Sequence, residues 1–401
     1  MNKHSIIFLI IFLLTAVVYS QNTVEIRSSK DYLHIRIDLI KNSIFQVCYI
    51  SGKEKVEIGD SKFLISGSHG FKIKKEAVKS NEIIFTVTSY DYDFVKSFGS
   101  FGSGMGNFFH PVGIVKDRLD RLYIADSNND RIQVMNKNGG YITEFGVFEW
   151  AENDIFDNQD GEKFESDSDF IDSGANLNNP VAISVGQFLY VVDKGNNRIV
   201  KFNNDYSFLK YFGKYGNDRL EFIDVNNITI DDIENIYIVD SGNDRIVKTD
   251  SNGRFIFELG SFGRGVENFN NPLDVCVDLK RNIYVADAGN KKVKVFDEQG
   301  LFKYEFSCKT LKGLDFIYSW QETLFLIDSN SKLIYHMNKK GRRFMKISHD
   351  KFGHPEACVM LDEKYLLVTD SETNNVRIFE IKCKKETFTR KISDIVYEEE
   401  E

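Results

Sequence analysis

Residues 125–134 read "ADSNNDRIQV", and this stretch decides the fold. An acid (Asp126), two amides (Asn128, Asn129), a second acid (Asp130) and Arg131 fall within seven positions, which taken alone would suit a catalytic centre. The chain, however, repeats it. Strands that end on an acid recur as "LYIADSNNDRIQV", "LYVVDKGNNRIVKF", "IYIVDSGNDRIVKT", "IYVADAGNKKVKVF", "LFLIDSNSKLIYHM" and "LLVTDSETNNVRIF". The acids are Asp126, Asp193, Asp240, Asp287, Asp328 and Asp370, spaced by 67, 47, 47, 41 and 42 residues. Three residues after the acid stand Asn129, Asn196, Asn243 and Asn290, then Ser331 and Thr373; five after it stand Arg131, Arg198, Arg245 and Lys292, then Leu333 and Asn375. A side-chain group carried in most copies of a repeat is architecture. Asp and Asn accept hydrogen bonds from nearby amides and tolerate left-handed turns, so they can close a hairpin. The Arg stem can lie on apolar surface with its head in water.

Each unit carries the same grammar around that hairpin. A short strand precedes it ("VGIVKD", "VAISVG", "LDVCVD"), and a fourth strand closes on an aromatic and often a glycine ("YITEFG", "FLKYFG", "FIFELG"). Four short alternating strands per 40–50 residues describe a β-propeller blade, and six copies predict six blades. The fold expected is all-β: a six-bladed propeller over residues 93–383, preceded by a small β-rich region over 21–92 with five or six strands. Abundant Phe (34) and Tyr (18) with scarce Pro (4) agree. Both "DFVKSFG" (93–99) and "FTRKIS" (388–393) have the fourth-strand pattern, so either could complete the last blade; 93–99 is favoured.

Residues 1–20 place Lys3 and His4 ahead of an apolar run ending near Val18, with small residues before a cut at Ser20. This predicts a cleaved signal peptide, a secreted or extracytoplasmic protein, and no membrane span afterwards. The formal charge of −9 resides in one segment: residues 149–172 hold ten acids and one lysine, leaving a near-neutral body unsuited to nucleic acid. Residues 149–174 are expected to form an acidic loop insertion, whose "DNQDGEKFESD" resembles a calcium loop but puts Phe156 at the first ligand position. The end, 384–401, reads as a charged tail. Five cysteines without any CxxC exclude zinc fingers and a RING-type module.

Departures from the repeat are where a site should lie. The innermost strand is expected to begin at Pro111, Pro180, Val225, Pro272, Gly313 and Pro355. The residue before each, namely His110, Asn179, Asp224, Asn271, Lys312 and His354, then lies at the mouth of the central channel as a candidate ligand-binding ring. His110 and His354 fall in blades that ring closure makes neighbours, and form a candidate metal pair for zinc or calcium. The bland alternative is that these groups hydrogen-bond turns and water. The sequon Asn227-Ile228-Thr229 falls on an innermost strand and is expected to stay unmodified.

The Gly-rich leads with Pro and the Asp/Asn/Arg hairpins, as in "FGSFGSGMGNFFHPVGI" with "LYIADSNNDRIQV" and "LGSFGRGVENFNNPLDV" with "IYVADAGNKKVKVF", resemble the NHL repeat over roughly residues 93–383. Propellers of that family serve as intracellular scaffolds, several of them RNA-binding or joined to ubiquitin-ligase modules, as the zinc- and calcium-dependent peptidyl-hydroxyglycine amidating lyase, or as extracytoplasmic proteins with no assigned reaction. The lyase would need a third zinc histidine, which has no counterpart here; its Pro-His-Gly order is replaced by His-Pro. The reading is therefore a monomeric, non-enzymatic binding or scaffold protein that recognises protein, peptide or glycan, with no catalytic residue and no cofactor assigned. A metal-dependent lyase and an intracellular scaffold are the alternatives.

Overall fold

The computed structural model describes residues 23–28, 32–39, 43–51, 54–57, 62–64, 67–74, 82–147, 175–308, 311–341, 343–348 and 352–391. The segments expected to be a signal peptide and an acidic loop, and residues 392–401, lie outside them. Two compact units result, one of residues 93–341 with 346–380 and one of 1–92 with 342–345 and 381–401.

The larger unit is the six-bladed propeller. Blade one consists of Pro111–Lys116, Leu122–Asp126, Arg131–Met135 and Tyr141–Phe145, joined antiparallel in that order. Blades two to five repeat the arrangement from the innermost strands Pro180–Val185, Val225–Ile230, Pro272–Val277 and Phe316–Trp320. Innermost strands neighbour one another in sequence, and Pro355–Leu361 of blade six returns to Pro111–Lys116. The fourth strand of blade six comes from the other end of the propeller: Glu82–Phe98 lies beside Asn375–Lys391, with Phe94 and Phe379 edge to face at 5.8 Å. Residues 93–98 therefore close the ring. Residues 384–391, read from sequence as the start of a tail, continue the strand Asn375–Lys391.

The core lies between blades, because each short sheet is apolar on both faces. The second strands of blades one to four are buried at every position. Ile114, Leu122 and Ile124 of blade one pack on Val359, Leu367 and Ile378 of blade six, and the pairs one–two, two–three, three–four and four–five each have such a cluster. The Gly-rich leads belong to this packing. Gly99, Gly213 and Gly260 hold φ of 84°, 99° and 95°, each against a fully buried ring nine residues on: Phe108, Phe222 and Phe269. A Cβ on Gly260 would lie 2.2 Å from Phe269 Cδ2. Gly260→Ala is expected to lower stability by about 1–3 kcal/mol from backbone strain alone, read as a lower urea midpoint; an unchanged midpoint would contradict this account.

The smaller unit pairs Thr23–Ser28 with Tyr32–Leu39 and that strand with Gly67–Lys74. Ser43–Ser51 pairs with Glu54–Glu57, Lys62–Leu64 and Glu82–Phe98. Val24, Ile35 and Ile37 are buried, and Glu82–Phe98 is buried at every position from Ile83 to Val87.

Candidate functional site

The repeated acid is the knot of each blade. Asp240 is fully buried; its Oδ1 accepts the Ile223 amide at 2.8 Å, and its Oδ2 accepts Asn243 Nδ2 at 2.8 Å and Arg245 Nε at 2.7 Å. Asp126 and Asp193 repeat this with Phe109, Asn129 and Arg131, and with Asn178, Asn196 and Arg198. The amides of Asn129, Asn243 and Asn290 also reach the carbonyls of Gly102, Gly216 and Gly263 in the Gly-rich leads. The arginines thus differ from the sequence expectation: Arg131, Arg198 and Arg245 are buried with their heads ion-paired rather than in water. In blade four the cation is also different. Lys292 pairs with Glu305, and Lys294, two residues on, meets Asp287 at 2.8 Å. Blade six uses the same second position, with Arg377 on Asp370 at 3.2 Å. Asp328 of blade five accepts amides from Lys312, Gly313 and Ser331.

After the acids of blades one to five comes a single 3-10 turn and a left-handed residue, Asp130, Asn197, Asp244, Lys291 and Lys332; in blade six a plain turn ends on left-handed Asn374. The first three reach across to the next blade. Asp130, Asn197 and Asp244 accept the amides of Asn179, Asp224 and Asn271, and Asn374 of blade six accepts that of His110. His110, Asn179, Asp224 and Asn271 are themselves left-handed, with φ of 60°, 51°, 54° and 50°. Four of the six expected mouth residues are therefore clasps between blades. Where the left-handed residue is lysine it cannot accept, and the blade's own acid binds two consecutive amides instead: Gly353 and His354 on Asp370, Lys312 and Gly313 on Asp328.

The strand register also corrects one residue. Ile114, Ile183, Ile228, Val275, Ile317 and Cys358 each pair with the residue two before the repeated acid. Counting back four from each gives His110, Asn179, Asp224, Asn271, Gly313 and His354. Lys312 thus stands one place earlier, equivalent to Phe109, because blade five begins its innermost strand late, at Phe316.

The innermost strands surround a cavity of about 470 Å³ in the propeller channel. Of the six expected mouth residues, His110, Asn179 and His354 line it, whereas Asp224, Asn271 and Lys312 do not. The positions two residues further in all line it, one per blade: Val112, Val181, Asn226, Leu273, Asp315 and Glu356. This ring is uneven. Blades one, two and four contribute apolar side chains, blade three an amide held by Lys194, and blades five and six two carboxylates.

Glu356 Oε1 accepts Ser371 Oγ and lies 2.8 Å from His354 Nδ1. That contact, with Asp315 and Asp370 nearby, holds the His354 pKa above the usual imidazole range. Burial raises the Asp315 pKa, and the Glu356 charge adds to the effect. Asp274 also lines the cavity but is fully buried, its Oδ2 accepting the Ile317 amide of blade five at 2.7 Å; burial puts its pKa well above the carboxylate range. The thiols of Cys276 and Cys358 in the same wall are raised by burial, which keeps them protonated. Among the described residues no group of three or more His, Cys, Asp or Glu side chains is arranged to hold a metal ion, so His110 and His354 stand without a third donor. Asn227 of the sequon is half-buried in the cavity wall. Among the described residues no helix is long and apolar enough to cross a membrane.

Asp315 and Glu356 escaped the sequence reading. Their signal was present: the residue after each strand-opening Pro is Val112, Val181, Leu273 and Glu356. Blade five lacks the Pro, which hid Asp315.

Comparison with known proteins agrees with the repeat. The NHL repeat family model matches residues 269–296, the run from Phe269 to Phe296 in blade four. Over 50 residues the chain is 38% identical to protein lin-41 of Caenorhabditis elegans, a match that spans 12% of this chain and 4% of that protein. The gluconolactonase XC5397 from Xanthomonas campestris superposes with a TM-score of 0.50 at 12% identity, over 72% of this chain and 96% of the other. A streptogramin B lyase gives 0.48 at 11% identity, over 73% and 98%. At such identities the likeness is one of fold.

Proposed function

We propose that this six-bladed NHL-repeat propeller is a secreted or extracytoplasmic binding protein that holds part of a protein, peptide or glycan partner in its channel cavity. The observation that carries this reading is the uneven ring of Val112, Val181, Asn226, Leu273, Asp315 and Glu356. Elsewhere the repeated polar groups satisfy one another; here six equivalent positions divide into three apolar side chains, one amide and two carboxylates around a space of ligand size, since binding pockets run to roughly 300–1,000 Å³. The pattern of residues 1–20 supports the export part of the reading.

The test is affinity capture with the chain from Gln21 onward, run beside Val112→Phe/Val181→Phe, which narrows the cavity, with melting curves to show that both fold. Loss of the captured partners in the variant is expected. Identical partners on both proteins would refute the channel reading.

A further inference from the structure

We propose that the cavity accepts an organic cation, an ammonium or guanidinium group on an apolar body, with the charge against Asp315 and Glu356. This rests on the channel reading above and specifies its ligand chemistry. The two carboxylates stand at equivalent positions of adjacent innermost strands, in blades five and six. Both are half-buried, and among the described residues neither is ion-paired with Lys or Arg. Asp315 accepts one amide, from Ser329 at 2.8 Å. Among the described residues Glu356 meets the His354 ring and the Ser371 hydroxyl. Their neighbours in the channel wall are committed elsewhere: Asp274 to the Ile317 amide, Lys194 to Asp224 at 2.7 Å.

The second observation is the shape and polarity of the space itself. Val112, Val181 and Leu273 place an apolar wall in the same cavity as the carboxylates. A partly desolvated carboxylate pair next to an apolar wall matches a ligand with one cationic end and one hydrocarbon end. An ammonium there would make charge-assisted hydrogen bonds in surroundings less polar than water. A phosphate or sulfate would face like charge, and a neutral body alone would leave Asp315 without a counter-charge and Glu356 with the His354 ring as its cationic neighbour.

The cation could come from a small amine or from a lysine side chain, and titration calorimetry separates these. The probes are pentylammonium chloride, pentan-1-ol and the blocked tripeptide acetyl-Ala-Lys-Ala-amide, each against the wild type and Asp315→Asn/Glu356→Gln. The double variant keeps the acceptor oxygens that Ser329, Ser371 and His354 use, so the fold is expected to persist. Pentylammonium should bind at least about tenfold tighter than pentan-1-ol, and the double variant should lose about tenfold or more for the cation while pentan-1-ol is unchanged. Tighter binding of the tripeptide than of pentylammonium would assign the cation to a partner's lysine; the reverse would assign it to a small amine. Equal affinity for amine and alcohol, an unchanged double variant, or no saturable pentylammonium binding would overturn the proposal. If the double variant still captures the partners that Val112→Phe/Val181→Phe loses, the channel reading survives and this one falls.

Discussion

Lys294→Ala is expected to destabilise the propeller by about 3–5 kcal/mol, whereas Lys292→Ala, two residues away, should cost less than about 1 kcal/mol. Lys294 is fully buried. Its ammonium meets Asp287 at 2.8 Å, donates to the carbonyls of Gly265 and Asn268, and lies 5.3 Å from the Phe269 ring centroid. Truncation leaves the Asp287 carboxylate buried with no cation and frees two carbonyls of the Gly-rich lead in the same step. Lys292 pairs with Glu305 on a surface where both side chains keep over a quarter of their exposure, at 30% and 27%. Solvent screens such a pair, and ordering two long side chains offsets most of its attraction. Urea unfolding of both variants decides the matter. Should Lys292→Ala be as damaging as Lys294→Ala, the assignment of the blade-four cation would be wrong.

The second large effect is acid sensitivity centred on His336. This imidazole sits in the third strand of blade five, fully buried, stacked 4.4 Å from Phe325 with 5° between the rings. The stack follows from the register, which pairs Phe325 directly with His336. Burial pushes its pKa down to about 3 from an ordinary 6.5. The folded state thus excludes a proton that the unfolded chain takes up below the ordinary value. The contribution is fully present above pH 6.5 and is lost progressively as pH falls from there towards the folded value of about 3. Between pH 7 and pH 4.5 this one group should remove roughly 2–3 kcal/mol. His336→Leu keeps an apolar side chain of similar volume with no titration, so its stability should fall less over that range by the same amount. The measurement is the urea midpoint at both pH values for the two proteins; equal acid losses would exclude His336 as the source.

These two residues mark how far the sequence could be read. Lys292 looked like the repeat's cation because it stands five residues after Asp287, as Arg131 does after Asp126. In a strand, however, positions five and seven after the acid lie on the same face, since side chains alternate with period two. Whichever side chain reaches the carboxylate takes it, and reach depends on twist and depth that no spacing encodes. Arg377 on Asp370 is a second case of the same substitution. The candidate site shows the same division. Counting back from the repeated acids puts His110 and His354 at the channel mouth, and both line the cavity; the same count puts Lys312 one position out, because blade five has one residue fewer before its acid and Leu314, in the place where most blades have Pro, gives no marker. His336 lies in a third strand, and its stacking on Phe325 follows only from the register.

What the sequence determined unaided was the count and grammar of the blades. Turn chemistry and strand alternation act over a few residues, so six copies of acid, amide and cation announce six hairpins wherever they fold. The tertiary structure decided how the copies serve one another. Residues 93–98 complete a blade begun some 260 residues later, at Pro355, Asn374 clasps His110, and Asp315 and Glu356 share a cavity wall. Those relations join residues whose separation along the chain carries no local preference. Packing apolar faces around a closed circle brings them together.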